Sequence, residues 1–121
     1  MAVVLTGAER QQFIDILAEW NIGGNPAPVE WAGRAEEDRL EYLPGLLPNK
    51  IKQAIFEYAR EGGRIDRVDE SRDEYKHKWK HHYDLWPTIE GIVYYFETRF
   101  AYSAEPDESV IYIMRFKPHE K

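Results

Sequence analysis

The stretch from Tyr75 to Tyr102 limits the possible folds more than any other, because its apolar residues recur at every second position. Tyr75, His77, Trp79, His81, Tyr83 and Leu85 share one parity, while Lys76, Lys78, Lys80, His82 and Asp84 share the other. Ile92, Tyr94, Phe96, Thr98, Phe100 and Tyr102 form a second apolar or aromatic set, opposed by Val93, Tyr95, Glu97, Arg99 and Ala101. Side chains of a strand alternate between its two faces, so both runs read as half-buried strands. Their β-branched and aromatic content agrees.

If residues 87–90 (PTIE) form the hairpin loop, Leu85 faces Ile92, Tyr83 faces Tyr94, His81 faces Phe96 and Trp79 faces Thr98. Both apolar sets then fall on one side, which is the condition that fixes register. The other side pairs His82 with Tyr95, Lys80 with Glu97 and Lys78 with Arg99. A helix over 71–82 is the rival: Ser71 and Glu74 fit a capping box, and Glu74 and Lys78 make an i,i+4 pair. The continued alternation into Leu85 favours the strand.

Upstream, the pattern is helical. Thr6-Gly-Ala-Glu9 fits a capping box, and Phe13, Ile14, Leu17 and Trp20 form a stripe on a helix running to about Trp20. The segment 21–28 (NIGGNPAP) breaks it. Trp31 to Leu43 reads as a second helix with Glu36, Glu37, Asp38 and Glu41 on a solvated face. Pro48 suits the first turn of a third helix whose core residues are Ile51, Ala54, Ile55 and Tyr58, stopped at Gly62-Gly63. Ala2–Leu5 is β-prone but too short to assign alone. Arg64–Asp69 reads as a polar edge strand. After a turn over 103–109, Val110, Tyr112, Met114 and Phe116 alternate with Ile111, Ile113, Arg115 and Lys117 in a last strand, and His119 to Lys121 is expected to fray.

Helices followed by an antiparallel meander predict an α+β fold. The expectation is one domain over 1–121, with a helical half (1–63) and a sheet half (64–121). Two to three helices should pack on one face of a three- to four-stranded antiparallel sheet. No run approaches a membrane span and the N-terminus lacks a secretory pattern, so a cytoplasmic protein is expected. The absence of cysteine rules out disulfides and thiolate zinc sites, and no cofactor motif occurs. A net charge of −6 disfavours general nucleic-acid binding unless cations cluster.

His77 and His81 could share a metal only on a helix; on a strand they stand ~13 Å apart, so no metal site is expected. The exposed sheet face is the candidate site. It gathers His82, Tyr95, Glu97, Arg99 and Arg115 as catalytic candidates, with Lys78, Lys80 and Lys117 as binding cations. Cleavage of RNA by side chains needs these types: a base for the 2′-hydroxyl, an acid for the leaving oxygen, and cations for the charged phosphorane. Glu97 or His82 would be the base, His82 or Tyr95 the acid, and Arg99, Arg115 and Lys80 the clamps. The plain alternative is a set of cross-strand ion pairs, Lys80–Glu97 and Glu97–Arg115, on a solvated face.

The run YDLWPTIEGIVYYFETRF, followed by SVIYIMRFKPHEK, resembles the closing strands of small RelE/MqsR-like mRNA interferase toxins, over about 50 residues. The resemblance implies a metal-independent ribonuclease of a toxin–antitoxin pair, RNA as substrate and an antitoxin as protein partner. By location it points to Lys80, His82, Tyr95, Arg99, Arg115 and Lys117. The alternative function is a small non-enzymatic protein that docks a protein partner, in keeping with the acidic charge.

Overall fold

The structure, a computed structural model, describes residues 2–22, 29–70, 81–101 and 110–119. Among them are three helices, α1 (Gly7–Ile22), α2 (Gly33–Tyr42) and α3 (Pro48–Arg60). The strands are β1 (Ala2–Val4), β2 (Val29–Trp31), β3 (Ile65–Asp69), β4 (His81–Leu85), β5 (Thr88–Ile89), β6 (Ile92–Ala101) and β7 (Val110–Pro118). Six of them lie in the order β1-β3-β4-β6-β7-β2, and β5 pairs with β6. All pairings are antiparallel except β2 with β7, which is parallel. The fold is α+β, as expected, with more strands than the alternation reveals.

The additional strands are short. β1 and β2 have three residues each, too few for a period to register. Trp31 ends β2 rather than opening a helix, and its indole Nε1–H reaches across to Glu36 on α2 (2.9 Å). β1 also changes the status of β3. The polar RIDRVD segment is not an edge, because β1 pairs along it from Ala2 opposite Val68 to Val4 opposite Asp66.

The central hairpin turns later than its sequence suggests. Tyr83 faces Thr98, Asp84 faces Glu97 and Leu85 faces Phe96, so each expected partner moves by four residues and the centre of the 87–90 loop by two. Thr88 opposite Val93 and Ile89 opposite Ile92 continue the same register to a two-residue turn at Glu90-Gly91. Both turn residues have positive φ, 52° and 81°, the backbone of a type I′ turn. Asn or Asp usually marks the first position and glutamate does not, so the signal was weak. Pro87 has no N–H, and the ladder breaks at Trp86-Pro87, although the Pro87 carbonyl still accepts from the Tyr94 amide (2.9 Å). A shift of four preserves parity, so the same faces remain paired. Ile92, at the tip, is exposed rather than buried.

β7 breaks its own alternation. Up to Glu97 opposite Arg115 the register runs one way; from Thr98 opposite Ile113 it has slipped by one residue. Met114 is the extra residue of this β-bulge, and beyond it the strand's parity reverses. Phe116, Ile113 and Ile111 are therefore all buried on one face, which strict alternation from Val110 to Phe116 does not allow. Asp38, expected in solvent on α2, is 3% exposed, and its Oδ2 accepts the Phe116 amide (2.8 Å) just past the bulge.

All three helices cover the face that carries Tyr83, Leu85, Phe96 and Phe100. Phe13 of α1 meets Tyr83 and Phe100 at ring centroid distances of 6.1 and 5.2 Å, and Phe96 stacks on Phe116 at 4.6 Å. Ile16 and Leu17 of α1 and Ile51, Ile55 and Ala59 of α3 complete one core cluster. Each fully buried Phe or Leu contributes about 1.5–3 kcal/mol. Arg10 Nη2 of α1 ties the helices together by donating to the Ala59 carbonyl (2.9 Å). Glu9 turns to the sheet, accepting from Arg67 (3.0 Å) and from the Tyr83 hydroxyl (3.4 Å). Burial, and then the Glu9 charge, push the Tyr83 phenol up to about 12.

Candidate functional site

The opposite face of the sheet carries the polar parity. One row runs Asp66, Asp84, Glu97 and Arg115 across β3, β4, β6 and β7. Val68 and His82 are partners in the next row, and Arg99 and Tyr112 are partners on β6 and β7. Tyr95 and Lys117 are partners at the β7 end. Asp84, not Lys80, is thus the partner of Glu97 on β4. Lys78 and Lys80, and the strand or helix over 71–80, lie outside the described residues; His81 and His82 stand in β4, as the strand reading requires.

The predicted residues separate into two groups. Arg99 is 0% exposed, with Nη2 donating to Glu70 Oε2 (2.6 Å) and Nη1 3.3 Å from Glu97 Oε2. Glu70 and Glu97 are themselves buried. A guanidinium held this way has no surface to offer a phosphate, and Glu97 is committed to it. The pair Glu97 and Arg115 sit opposite each other across the β6–β7 ladder, as the sequence indicated.

The second group, His82 and Tyr95, is more accessible, although the Asp84 carboxylate that holds it is itself buried. Asp84 Oδ1 lies 2.9 Å from His82 Nδ1 and accepts the Tyr95 hydroxyl at 2.8 Å. One carboxylate oxygen therefore fixes an imidazole and a phenol side by side. With Nδ1–H donated to Asp84, His82 carries its lone pair on Nε2.

Tyr95 opens onto a cleft of about 430 Å³ lined by Trp86, Tyr95, Lys117, Pro118 and His119. A second pocket of about 380 Å³, lined by Arg64, Asp66, Trp86 and His119, adjoins it. Trp86 and His119 are common to both, edge to face with centroids 6.5 Å apart, and Trp86 also lies 6.1 Å from the Tyr95 ring. His119 is not frayed: its amide donates to the Val93 carbonyl (2.8 Å).

Tyr58 of α3 anchors this end of the sheet. Its hydroxyl donates to the Arg64 carbonyl (2.6 Å). Burial, the larger influence, raises its pKa. Gly63 permits the approach, because a Cβ there would stand 2.5 Å from the Tyr58 carbonyl oxygen and 2.6 Å from its ring.

Asp84, Trp86, His119, Arg64 and Asp66 did not emerge as site residues from sequence. Only for Asp84 was there a signal: it shares parity with His82 two positions away. The others depend on where the Trp86-Pro87 break and the β7 terminus meet. Among the described residues, no group of three or more His, Asp or Glu is arranged to hold a metal ion. No described helix is long and apolar enough to cross a membrane.

The class defined by this architecture is an α+β protein with helices on one sheet face and an aromatic, mixed-charge cleft on the other. Compared with protein-family models, with curated proteins and with solved structures, the chain matches none.

Proposed function

We propose that the polar sheet face is a ribonuclease site, acting through side chains in the manner of a toxin of a toxin–antitoxin pair. The observation that carries this reading is the Asp84 oxygen shared by His82 and Tyr95 beside the cleft that holds Lys117. His82 Nε2 takes the proton of a ribose 2′-hydroxyl as that oxygen bonds to phosphorus. The bond from phosphorus to the 5′-oxygen breaks, and Tyr95 gives that oxygen its proton. Asp84 holds both groups and stabilises the imidazolium that forms. Lys117, the cross-strand partner of Tyr95, meets the charge on the phosphorane. Trp86 supplies a stacking surface of the kind used for unpaired bases. A neutralising protein partner would have to cover this cleft.

The test is cleavage of single-stranded RNA in the presence of a chelator by wild type, His82→Ala, Asp84→Asn, Tyr95→Phe and Lys117→Ala. Loss of His82 or Tyr95 should lower the rate about 10²–10⁴-fold, with each variant folded by circular dichroism. No cleavage by wild type, or equal rates in all five, overturns the reading. A second reading, a non-enzymatic docking protein, draws on the sheet edge at β1, where Val3 and Val4 are exposed. Co-purification of a partner with an otherwise inactive chain, lost on Val3→Lys, would favour it.

A further inference from the structure

We propose that the pocket lined by Arg64, Asp66, Trp86 and His119 is a nucleobase site that selects guanine. Its two charged lining residues differ in exposure. The Asp66 side chain is 9% exposed and that of Arg64 62%, and Arg64 Nε donates to Asp66 Oδ1 at 2.6 Å. The shallow pocket thus places a largely buried carboxylate beside an exposed guanidinium in its lining. Asp66 Oδ2 is not part of that pair.

An acceptor beside donors is the complement of guanine, which offers N1–H and N2–H next to the O6 acceptor. Adenine presents only one donor group, N6–H₂, beside its N1 acceptor. Inosine keeps N1–H and O6 but lacks the 2-amino group. Asp84 is the cross-strand partner of Asp66, so a second carboxylate stands next to Asp66 on the same sheet face, outside the pocket lining. Two neighbouring carboxylates favour a ligand edge rich in donors and oppose a phosphate there. The phosphate of a bound nucleotide is therefore directed to the other side of the Trp86–His119 wall, where Lys117 lies. Trp86 gives the base a flat surface, and 380 Å³ lies within the usual range for small-ligand sites.

This inference rests on the ribonuclease reading only in taking RNA as the source of the base. Nucleotide binding is measured without any cleavage. Titration calorimetry of the whole chain with GMP, IMP, AMP, CMP and UMP is the experiment. GMP should bind roughly tenfold or more tighter than AMP, and tighter than IMP, as a well-formed bidentate base contact discriminates. Asp66→Asn should remove the preference for GMP, and Trp86→Ala should weaken all five nucleotides alike. If Asp66→Asn does not fold, the comparison of GMP with IMP on wild type decides. Equal affinity for GMP and AMP, or no GMP binding in the millimolar range, overturns the proposal. RNA cleavage without any preference for guanine overturns it while leaving the ribonuclease reading in place. Selective GMP binding by a chain that cleaves no RNA does the reverse.

Discussion

Replacing Arg99 with alanine should unfold the protein more readily rather than merely silence it. The guanidinium has no exposed area, and the carboxylates of Glu70 and Glu97 stand at 2.6 and 3.3 Å from it. Removing the cation leaves two buried carboxylates without their shared positive charge. Breaking a buried ion pair from one side costs about 3–5 kcal/mol. For 121 residues, an unfolding entropy of about 2.1 cal/mol/K per residue gives about 0.25 kcal/mol/K. Arg99→Ala should therefore lower the melting temperature by about 12–20 °C. Thermal and urea denaturation followed by circular dichroism measure this. Glu70→Gln added to Arg99→Ala should recover part of the loss, since it removes one of the stranded charges, and the double-mutant cycle isolates the pair. A single-mutant cost below about 1 kcal/mol, the value of an exposed pair, would refute the reasoning. An activity test of Arg99 is meaningful only beside that stability measurement.

Three other outcomes are expected. Asp38→Ala removes the buried acceptor of the Phe116 amide and should cost about 1–3 kcal/mol in urea unfolding, whereas Glu37→Ala on the exposed side of α2 should be nearly silent. Glu90→Asn places a residue that tolerates positive φ at the first turn position and should stabilise by about 0.5–1 kcal/mol in the same assay. Tyr83 is held near 12 against an ordinary 10.0, so between those pH values only the unfolded chain loses this proton. Its contribution is complete below pH 10 and fades as pH rises through about 12, by about 2–3 kcal/mol in all. In Tyr83→Phe the high-pH decline should be correspondingly shallower.

Helix order, the polar and apolar parities of the central hairpin and the identity of the open face were all legible in the sequence. They rest on periodicities sustained over many residues, such as Phe13 to Leu17 and Tyr94 to Phe100. The failures occur where one residue outweighs a period. A glutamate in a type I′ turn hid the true hairpin loop, and one bulged residue, Met114, reversed the parity of β7. Parity survived a four-residue error, so Tyr95 and His82 fall on the expected face and Arg115 opposite Glu97, while the β4 partner of Glu97 is Asp84 rather than Lys80. Burial is the other gap. The charged positions of β6 imply a solvated surface, yet Arg99 and Glu97 are buried, because a strand pattern specifies a face and not its exposure. Trp86 and His119 meet only because the chain's C-terminal strand returns beside the break at Pro87, a juxtaposition no local pattern encodes.

The two outermost strands of the sheet come from the first third of the chain, yet their partners lie far downstream: Ala2 pairs with Val68, and Val29 with Ile111. During synthesis, α1 and α3 leave the ribosome with Phe13, Leu17, Ile51 and Ile55 still uncovered. The sheet that buries them is finished only when Ile113 has been added. At about 5–20 residues per second the stretch from Ile55 to Ile113 takes roughly 3–12 s. The apolar helical half spends that interval without the sheet that covers it, so the nascent chain exposes more apolar surface than the finished protein.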